Sequence, residues 1–273
     1  CNLACKFCQN WDISTSREMD RLADQASPVE IAAAAASQGC AGVAYTYNDP
    51  VIFAEYAIDT AIACHQRGLV NVAVTAGYVN PEARADFFAV MDAANVDLKG
   101  FNDTFYQQVT GARLQPVLDT IRYLVHETAV WVELTTLLIP GHNDATSELR
   151  AMCGWVAEEL GPDVPMHFSA FHPDHRMRHI PATPSRTLSR ARTIAMEAGI
   201  RYVYTGNVYD PEGGTTFCPT CATPVIRRDR YVIDSYALDD HGCCTVCGTR
   251  IPGRFNAHSG SGRRRMPHRI TIH

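Results

Sequence analysis

Cys1-Asn2-Leu3-Ala4-Cys5-Lys6-Phe7-Cys8 places three thiols within eight residues at the spacing Cys-x3-Cys-x2-Cys. One loop of this length can aim all three sulfurs at a single centre. A closed tetrahedral zinc site wants four protein ligands, and a cubane iron–sulfur cluster normally takes four cysteines, one per iron. A loop that offers three leaves one metal position open, and an open position is where a substrate or cofactor coordinates. Three buried cysteines, or half of a zinc site, are the plainer readings of the same residues.

Downstream, helix and strand patterns alternate. Ser27-Pro28-Val29-Glu30 is a capping box with proline at the first helical position, so a helix is expected to run to about Gln38. Asp49-Pro50, Asn80-Pro81 and Thr183-Pro184 open further helices by a similar device, and helical patterns cover 114–128 and 145–160. Apolar or β-branched runs at 40–46, 69–75, 94–98, 129–139, 164–171 and 200–205 read as strands. This alternation predicts an α/β fold, a parallel sheet covered by helices, in which ligands gather at the carboxyl ends of the strands. Polar or glycine punctuation falls at those ends: Thr46-Tyr47-Asn48-Asp49, Thr75-Ala76-Gly77-Tyr78, Asp97-Leu98-Lys99, Ile139-Pro140-Gly141 and His172-Pro173.

With 273 residues, 46% of them hydrophobic, the chain can bury one large core. A formal charge of −5 argues against a wholesale nucleic-acid binder. Arg254, Arg263, Arg264, Arg265 and Arg269 make the end basic, and with its Gly and Ser residues the stretch 256–273 reads as a disordered tail. Seven of the eleven cysteines fall in the triplet and two Cys-x2-Cys pairs, which suits metal binding in a reducing cytoplasm better than a disulfide scaffold. No apolar run approaches the length of a membrane span. Lys6 and Lys99 are the two lysines among 24 basic residues.

Cys218-Pro219-Thr220-Cys221 and Cys244-Thr245-Val246-Cys247 are separated by 22 residues, and 225–238 alternates like a hairpin. Four cysteines close a tetrahedral site, so Cys218, Cys221, Cys244 and Cys247 read as structural zinc ligands in a zinc-ribbon-like module. A single iron or an auxiliary cluster would use the same donors. Cys243 is a spare or alternative ligand, whereas Cys40, Cys64 and Cys153 read as core fillers.

The triplet, with the aromatic Phe7 before its last cysteine, resembles the radical S-adenosylmethionine (radical SAM) superfamily. Further stretches in the same order resemble the pyruvate formate-lyase activating enzyme and, more closely, the radical SAM enzymes of the AmmeMemoRadiSam system. They are Tyr45-Thr46-Tyr47-Asn48-Asp49-Pro50, Val96-Asp97-Leu98-Lys99, Leu138-Ile139-Pro140-Gly141-His142-Asn143-Asp144, Ser169-Ala170-Phe171-His172-Pro173 and Tyr202-Val203-Tyr204-Thr205-Gly206-Asn207-Val208. The resemblance implies a partial (β/α)6 barrel over 1–209, followed by the module at 210–255. The barrel's first strand is expected before Cys1, so this chain should lack it. The resemblance also implies a [4Fe–4S] cluster on Cys1, Cys5 and Cys8, with SAM on the fourth iron. An electron from a ferredoxin or flavodoxin would split SAM into methionine and a 5′-deoxyadenosyl radical that takes a substrate hydrogen. Memo-like and AMMECR-type proteins are the partners it suggests.

Carried over residue by residue, the resemblance puts Phe7, Asn48, Asp49, Thr75, Gly77 and Lys99 at SAM. Asp49 reads equally as a helix N-cap, and Ala76 stands where relatives carry an asparagine. Asp97, Glu133 and His172 are candidates for handling the substrate. Their plainer readings are an ion pair with Lys99, an outward rim residue, and a turn. The substrate class stays open among a glycine of a partner protein (a glycyl-radical-enzyme activase), a small molecule and RNA. A non-catalytic metal-binding interaction module is the rival from another class.

Overall fold

The computed structural model describes residues 1–15, 25–229 and 232–255. The expected tail at 256–273, with Arg263, Arg264, Arg265 and Arg269, lies outside them. Strands β1 (Gly42–Tyr45), β2 (Val70–Thr75), β3 (Ala93–Asp97), β4 (Trp131–Leu138), β5 (Met166–Ala170) and β6 (Val203–Gly206) form one sheet in sequential order. The pairings of β1 with β2, β2 with β3, β3 with β4 and β5 with β6 are parallel. The helices are α1 (Trp11–Ser14), α2 (Pro28–Ser37), α3 (Ala54–His65, after a 3-10 turn at Pro50–Phe53) and α4 (Pro81–Phe88). They continue with α5 (Asp103–Phe105, running into a π turn at Tyr106–Thr110) and α6 (Leu114–Glu127). Last come α7 (Thr146–Trp155, ending in a π turn at Val156–Leu160) and α8 (Ser185–Glu197). A parallel six-stranded α/β sheet, as the alternation predicts, is what the chain forms.

The described residues divide into two compact units, 1–135 with 172–181, and 136–171 with 182–255. In the first, the sheet has two unlike faces. Asn71, Ala73, Thr75, Ala94, Val96, Val132 and Leu134 are buried, as are Phe87, Phe88, Val117, Ile121 and Leu124 of α4 and α6. The alternate residues Val72, Val74, Asn95, Asp97, Glu133 and Thr135 are only half-buried. Strands of a parallel sheet are usually apolar on both faces. Asn95, Asp97, Glu133 and Thr135 therefore make a polar cluster on that face of β3 and β4, flanked by Ala93, Trp131 and Leu137.

Ser27 caps α2 as expected: its hydroxyl accepts from the Glu30 amide, and Glu30 accepts from the Ser27 amide at 2.7 Å. Cys64 lies in a small core with Ala32, Ala35, Ala63 and Leu69, against which Cys40 packs.

In the second unit, β4 ends at Leu138 and α7, β5, α8 and β6 follow. Thr183 does not cap α8. Its hydroxyl donates to the Leu138 carbonyl and accepts from the Phe171 amide, so it ties the end of β4 to the end of β5. Beyond β6, strands β7 (Thr216–Phe217), β8 (Pro224–Asp229) and β9 (Val232–Tyr236) form an antiparallel sheet. Val225, Ile226, Leu238 and Ile251 make its core together with Tyr202, Cys218 and Cys244.

Candidate active site

The cysteine loop is held by main-chain bonds to segments that follow the strands. The last carbonyls of a helix lack partners within it. At the π turn after α5, Thr110 and Val109 offer theirs to the Ala4 and Lys6 amides at 2.8 and 2.9 Å. Gly111 ends that turn in the left-handed region, φ 73°, where a β-carbon would stand 3.2 Å from that of Ala4. On another side the Arg176 amide donates to the Lys6 carbonyl at 3.0 Å, and Asn2 Nδ2 donates to the Tyr78 carbonyl at 2.6 Å. Phe7 is buried and stacks on Phe105 with centroids 6.3 Å apart. Cys1, Cys5 and Cys8 are free thiols, each half-buried.

Asn48, Asp49, Thr75 and Gly77 meet at the ends of β1 and β2. Asp49, 6% exposed, accepts from the Thr75 hydroxyl at 2.9 Å, the Ala76 amide at 2.8 Å and the Val51 amide at 3.1 Å. The N-cap reading of Asp49 thus has a direct counterpart in the structure, and the same carboxylate ties β1 to β2. Thr75 Oγ1 in turn accepts from the Gly77 amide at 3.1 Å. Gly77 has φ 66°, and a β-carbon there would fall 2.8 Å from Val96 Cγ1, so only glycine fits without a shift. Asn48 Oδ1 lies 3.1 Å from the backbone nitrogen of Cys1.

Lys99 stands after β3. Its ammonium donates to Asp97 Oδ2 at 2.9 Å and lies 5.8 Å from the centroid of the Phe7 ring, and its amide donates to the Tyr106 hydroxyl at 3.1 Å. Burial pulls the Lys99 pKa down, but the charges of Asp97 and Cys5 outweigh it and the net direction is up. The Cys5 thiol is pushed up by burial, with Lys99 opposing. Lys99 is therefore a permanent cation beside the cysteine loop.

Glu133 shares the half-buried face with Asp97 and pairs in register with Asn95. Its carboxylate accepts from the Trp131 indole at 3.0 Å. His172 is exposed, at the start of the segment after β5. Two residues that motif reading passed over join this group: Thr135 Oγ1 donates to Asn95 Oδ1 at 2.6 Å, and Asn95 Nδ2 donates to Asp97 Oδ1 at 3.4 Å. The signal that finds them is the period of two, which puts Asn95 with Asp97 and Thr135 with Glu133 on one face.

Three thiols on one anchored loop, beside a fixed cation, fit a cluster that carries negative charge on its sulfurs and keeps one iron for another ligand. The donor set is the right chemistry.

In the second unit Cys218, Cys221, Cys244 and Cys247 bring their sulfurs within 4.8 Å of one another. Cys218 and Cys247 stand 3.5 Å apart, and Cys221 and Cys244 3.8 Å. A zinc–sulfur bond of about 2.3 Å makes a tetrahedron with edges of about 3.8 Å. The match is to one tetrahedral ion; a cubane seats each cysteine on a different iron and spreads the sulfurs further. The two knuckles repeat one another. Ala222 (φ 56°) and Gly248 (φ 74°) turn left-handed after the second cysteine and donate to the carbonyls of Cys218 and Cys244. Cys221 and Cys247 contact the Thr223 and Thr249 hydroxyls at 3.2 and 3.3 Å. Those hydroxyls pull the thiols toward the thiolate that a metal needs, Cys221 to about 6 and Cys247 in the same direction, while burial pushes Cys218 up to about 11. Cys243 is held apart by Asp239, which accepts from its amide.

Among the described residues no helix is long and apolar enough to cross a membrane. Residues 1–153 match the family model described as the radical SAM superfamily. The chain is 38% identical over 252 residues to an uncharacterized protein of Methanocaldococcus jannaschii, covering 92% of this chain and 74% of that one. In fold it is similar to a domain of a pyruvate-formate lyase-activating enzyme from Bacteroides vulgatus: TM-score 0.54, 18% identity, 61% of this chain and 99% of the other. It is also similar to Streptococcus suis SuiB bound to its precursor peptide SuiA, with TM-score 0.59 and 11% identity over 76% of this chain and 46% of SuiB. With its cysteine loop anchored at the ends of a parallel α/β sheet, the chain belongs to the radical SAM superfamily.

Proposed function

We propose that Cys1, Cys5 and Cys8 hold a [4Fe–4S] cluster and that SAM takes its open corner, at the strand ends that gather Asn48, Asp49, Thr75, Gly77 and Lys99. When bound, the pair supplies one-electron cleavage of SAM to a 5′-deoxyadenosyl radical that takes a hydrogen from the substrate. The electron comes from a low-potential donor such as a ferredoxin or flavodoxin. The observation that carries this reading is the loop itself, three thiols fixed by main-chain bonds to the segments after β3 and β5.

In this reading Phe7 and Phe105 shield the cluster side, Lys99 offers its charge to the SAM carboxylate, and the Asp49 knot fixes the backbone amides around the methionyl end. Asp97, Glu133 and His172 are the candidates for meeting substrate. The finer forms are hydrogen abstraction from a glycine of a partner protein (an activase), from a small molecule or from RNA; Memo-like and AMMECR-type proteins are the partners the family resemblance suggests, and seven cysteines at metal-ligand spacing suit a reducing cytoplasm. We assign the sulfurs of Cys218, Cys221, Cys244 and Cys247 in the module at 210–255 to a structural zinc ion.

Anaerobic reconstitution with iron and sulfide, then SAM and dithionite, is expected to yield 5′-deoxyadenosine. Cys5→Ala is expected to yield none. A reconstituted chain that binds SAM but never cleaves it overturns the reading.

A further inference from the structure

We propose that Asn95 and Thr135 are positioning residues that set the Lys99 ammonium for SAM, through a hydrogen-bond chain that crosses from β4 to β3. This rests on the reading above. The chain has a single direction: the Thr135 hydroxyl donates to Asn95 Oδ1, Asn95 Nδ2 donates to Asp97 Oδ1, and Lys99 Nζ donates to Asp97 Oδ2. The two oxygens of Asp97 therefore have different partners, Oδ1 the Asn95 amide at 3.4 Å and Oδ2 the Lys99 ammonium at 2.9 Å. Fixing the first fixes the second.

A lysine needs such help. Its flexible four-carbon stem loses rotamer freedom when it is fixed, and its ammonium is a point charge with no planar fork to orient it. The Lys99 side chain is held at its root by the bond from its amide to Tyr106 and at its tip by Asp97, and it runs beside the Phe7 ring. Asp97 alone is a weak anchor, because its side chain is 33% exposed and can turn about its own χ angles. Asn95 removes that freedom, and Thr135 removes the freedom of the Asn95 amide to flip. Half-burying an amide and a hydroxyl in strand interiors costs free energy unless both are bonded, and here each is bonded to the next.

The test measures SAM affinity of the reconstituted chain by equilibrium dialysis, alongside iron content and the urea midpoint. Thr135→Val, which keeps shape and loses only the hydroxyl, and Asn95→Leu are each expected to weaken SAM binding about five- to tenfold, the loss of an aligned charge-assisted hydrogen bond. Iron content should stay at the wild-type level, and Thr135→Ser should restore affinity. In a Lys99→Met background, Asn95→Leu should add no further loss, because the chain acts through that ammonium. Unchanged affinity in both variants, or full additivity with Lys99→Met, overturns the proposal. If the wild-type chain itself binds no SAM, it is the reading of the cluster loop that fails instead.

Discussion

Asp97 and Lys99 face each other across 2.9 Å with unequal burial, the carboxylate side chain 33% exposed and the ammonium side chain 14%. The lysine therefore depends on the aspartate more than the reverse. Asp97→Ala is expected to lower stability by about 1–2 kcal/mol, below the range for fully buried pairs because water reaches the carboxylate. Adding Lys99→Met should recover part of that loss. Urea unfolding of the two single variants and the double variant checks this, and strict additivity would contradict it.

The four-cysteine site should hold one zinc per chain, independently of iron. Cys221→Ser is expected to remove the zinc and leave the cluster intact, while Cys5→Ala does the opposite. Cys218 and Cys244 also belong to the core with Val225 and Ile251, so stripping the zinc should loosen that core as well. Elemental analysis of both variants, with limited proteolysis after chelation, gives the answer.

Ala222 occupies a left-handed conformation, φ 56°, that the equivalent Gly248 adopts without steric cost. Left-handed backbone costs an L-residue about 1–2 kcal/mol, partly offset by the greater unfolded-state freedom of glycine. Ala222→Gly should raise stability by about 0.5 kcal/mol. A lower melting midpoint for the zinc-loaded variant would count against this account of the knuckle.

Glu30 gives a pH dependence with a definite sign. Its pKa is lowered, first by the Ser27 amide and then by the Ser27 hydroxyl. A lowered folded-state pKa means the stabilisation is fully present above the ordinary glutamate value of 4.5 and is lost as pH falls through the folded-state value. The stability gap between the wild type and Glu30→Gln should therefore narrow between about pH 7 and about pH 3. Ser27→Ala should cost about 1 kcal/mol at neutral pH. Urea midpoints of the three chains at the two pH values decide it.

Much of the fold was legible because its signals are local. The Ser27-Pro28-Val29-Glu30 box, the prolines Pro50 and Pro81, and the β-branched run ending at Pro140-Gly141 each act within a few residues, and the elements start and stop near them. Thr183 misled for an instructive reason: a threonine before proline suits an N-cap, but the buried carbonyl of Leu138, 45 residues away, competes for the same hydroxyl. The π turn after α5 carries no comparable local mark, although its free carbonyls are what anchor the cysteine loop.

What the amino-acid order alone determined is composition within short spans: three thiols on one loop, two knuckles with four, a strand-and-helix rhythm, and the strand-end motifs that suggest a family. Distances between strands belonged to the tertiary structure. It decided that Asp49 uses its carboxylate to join β1 to β2, that the four distal sulfurs close to tetrahedral spacing, and that Thr135 reaches Asp97 through Asn95. The physical reason is register. A strand shows which residues share a face, but which of them meet across strands depends on how the strands align, and that is settled only when the whole sheet buries its other side.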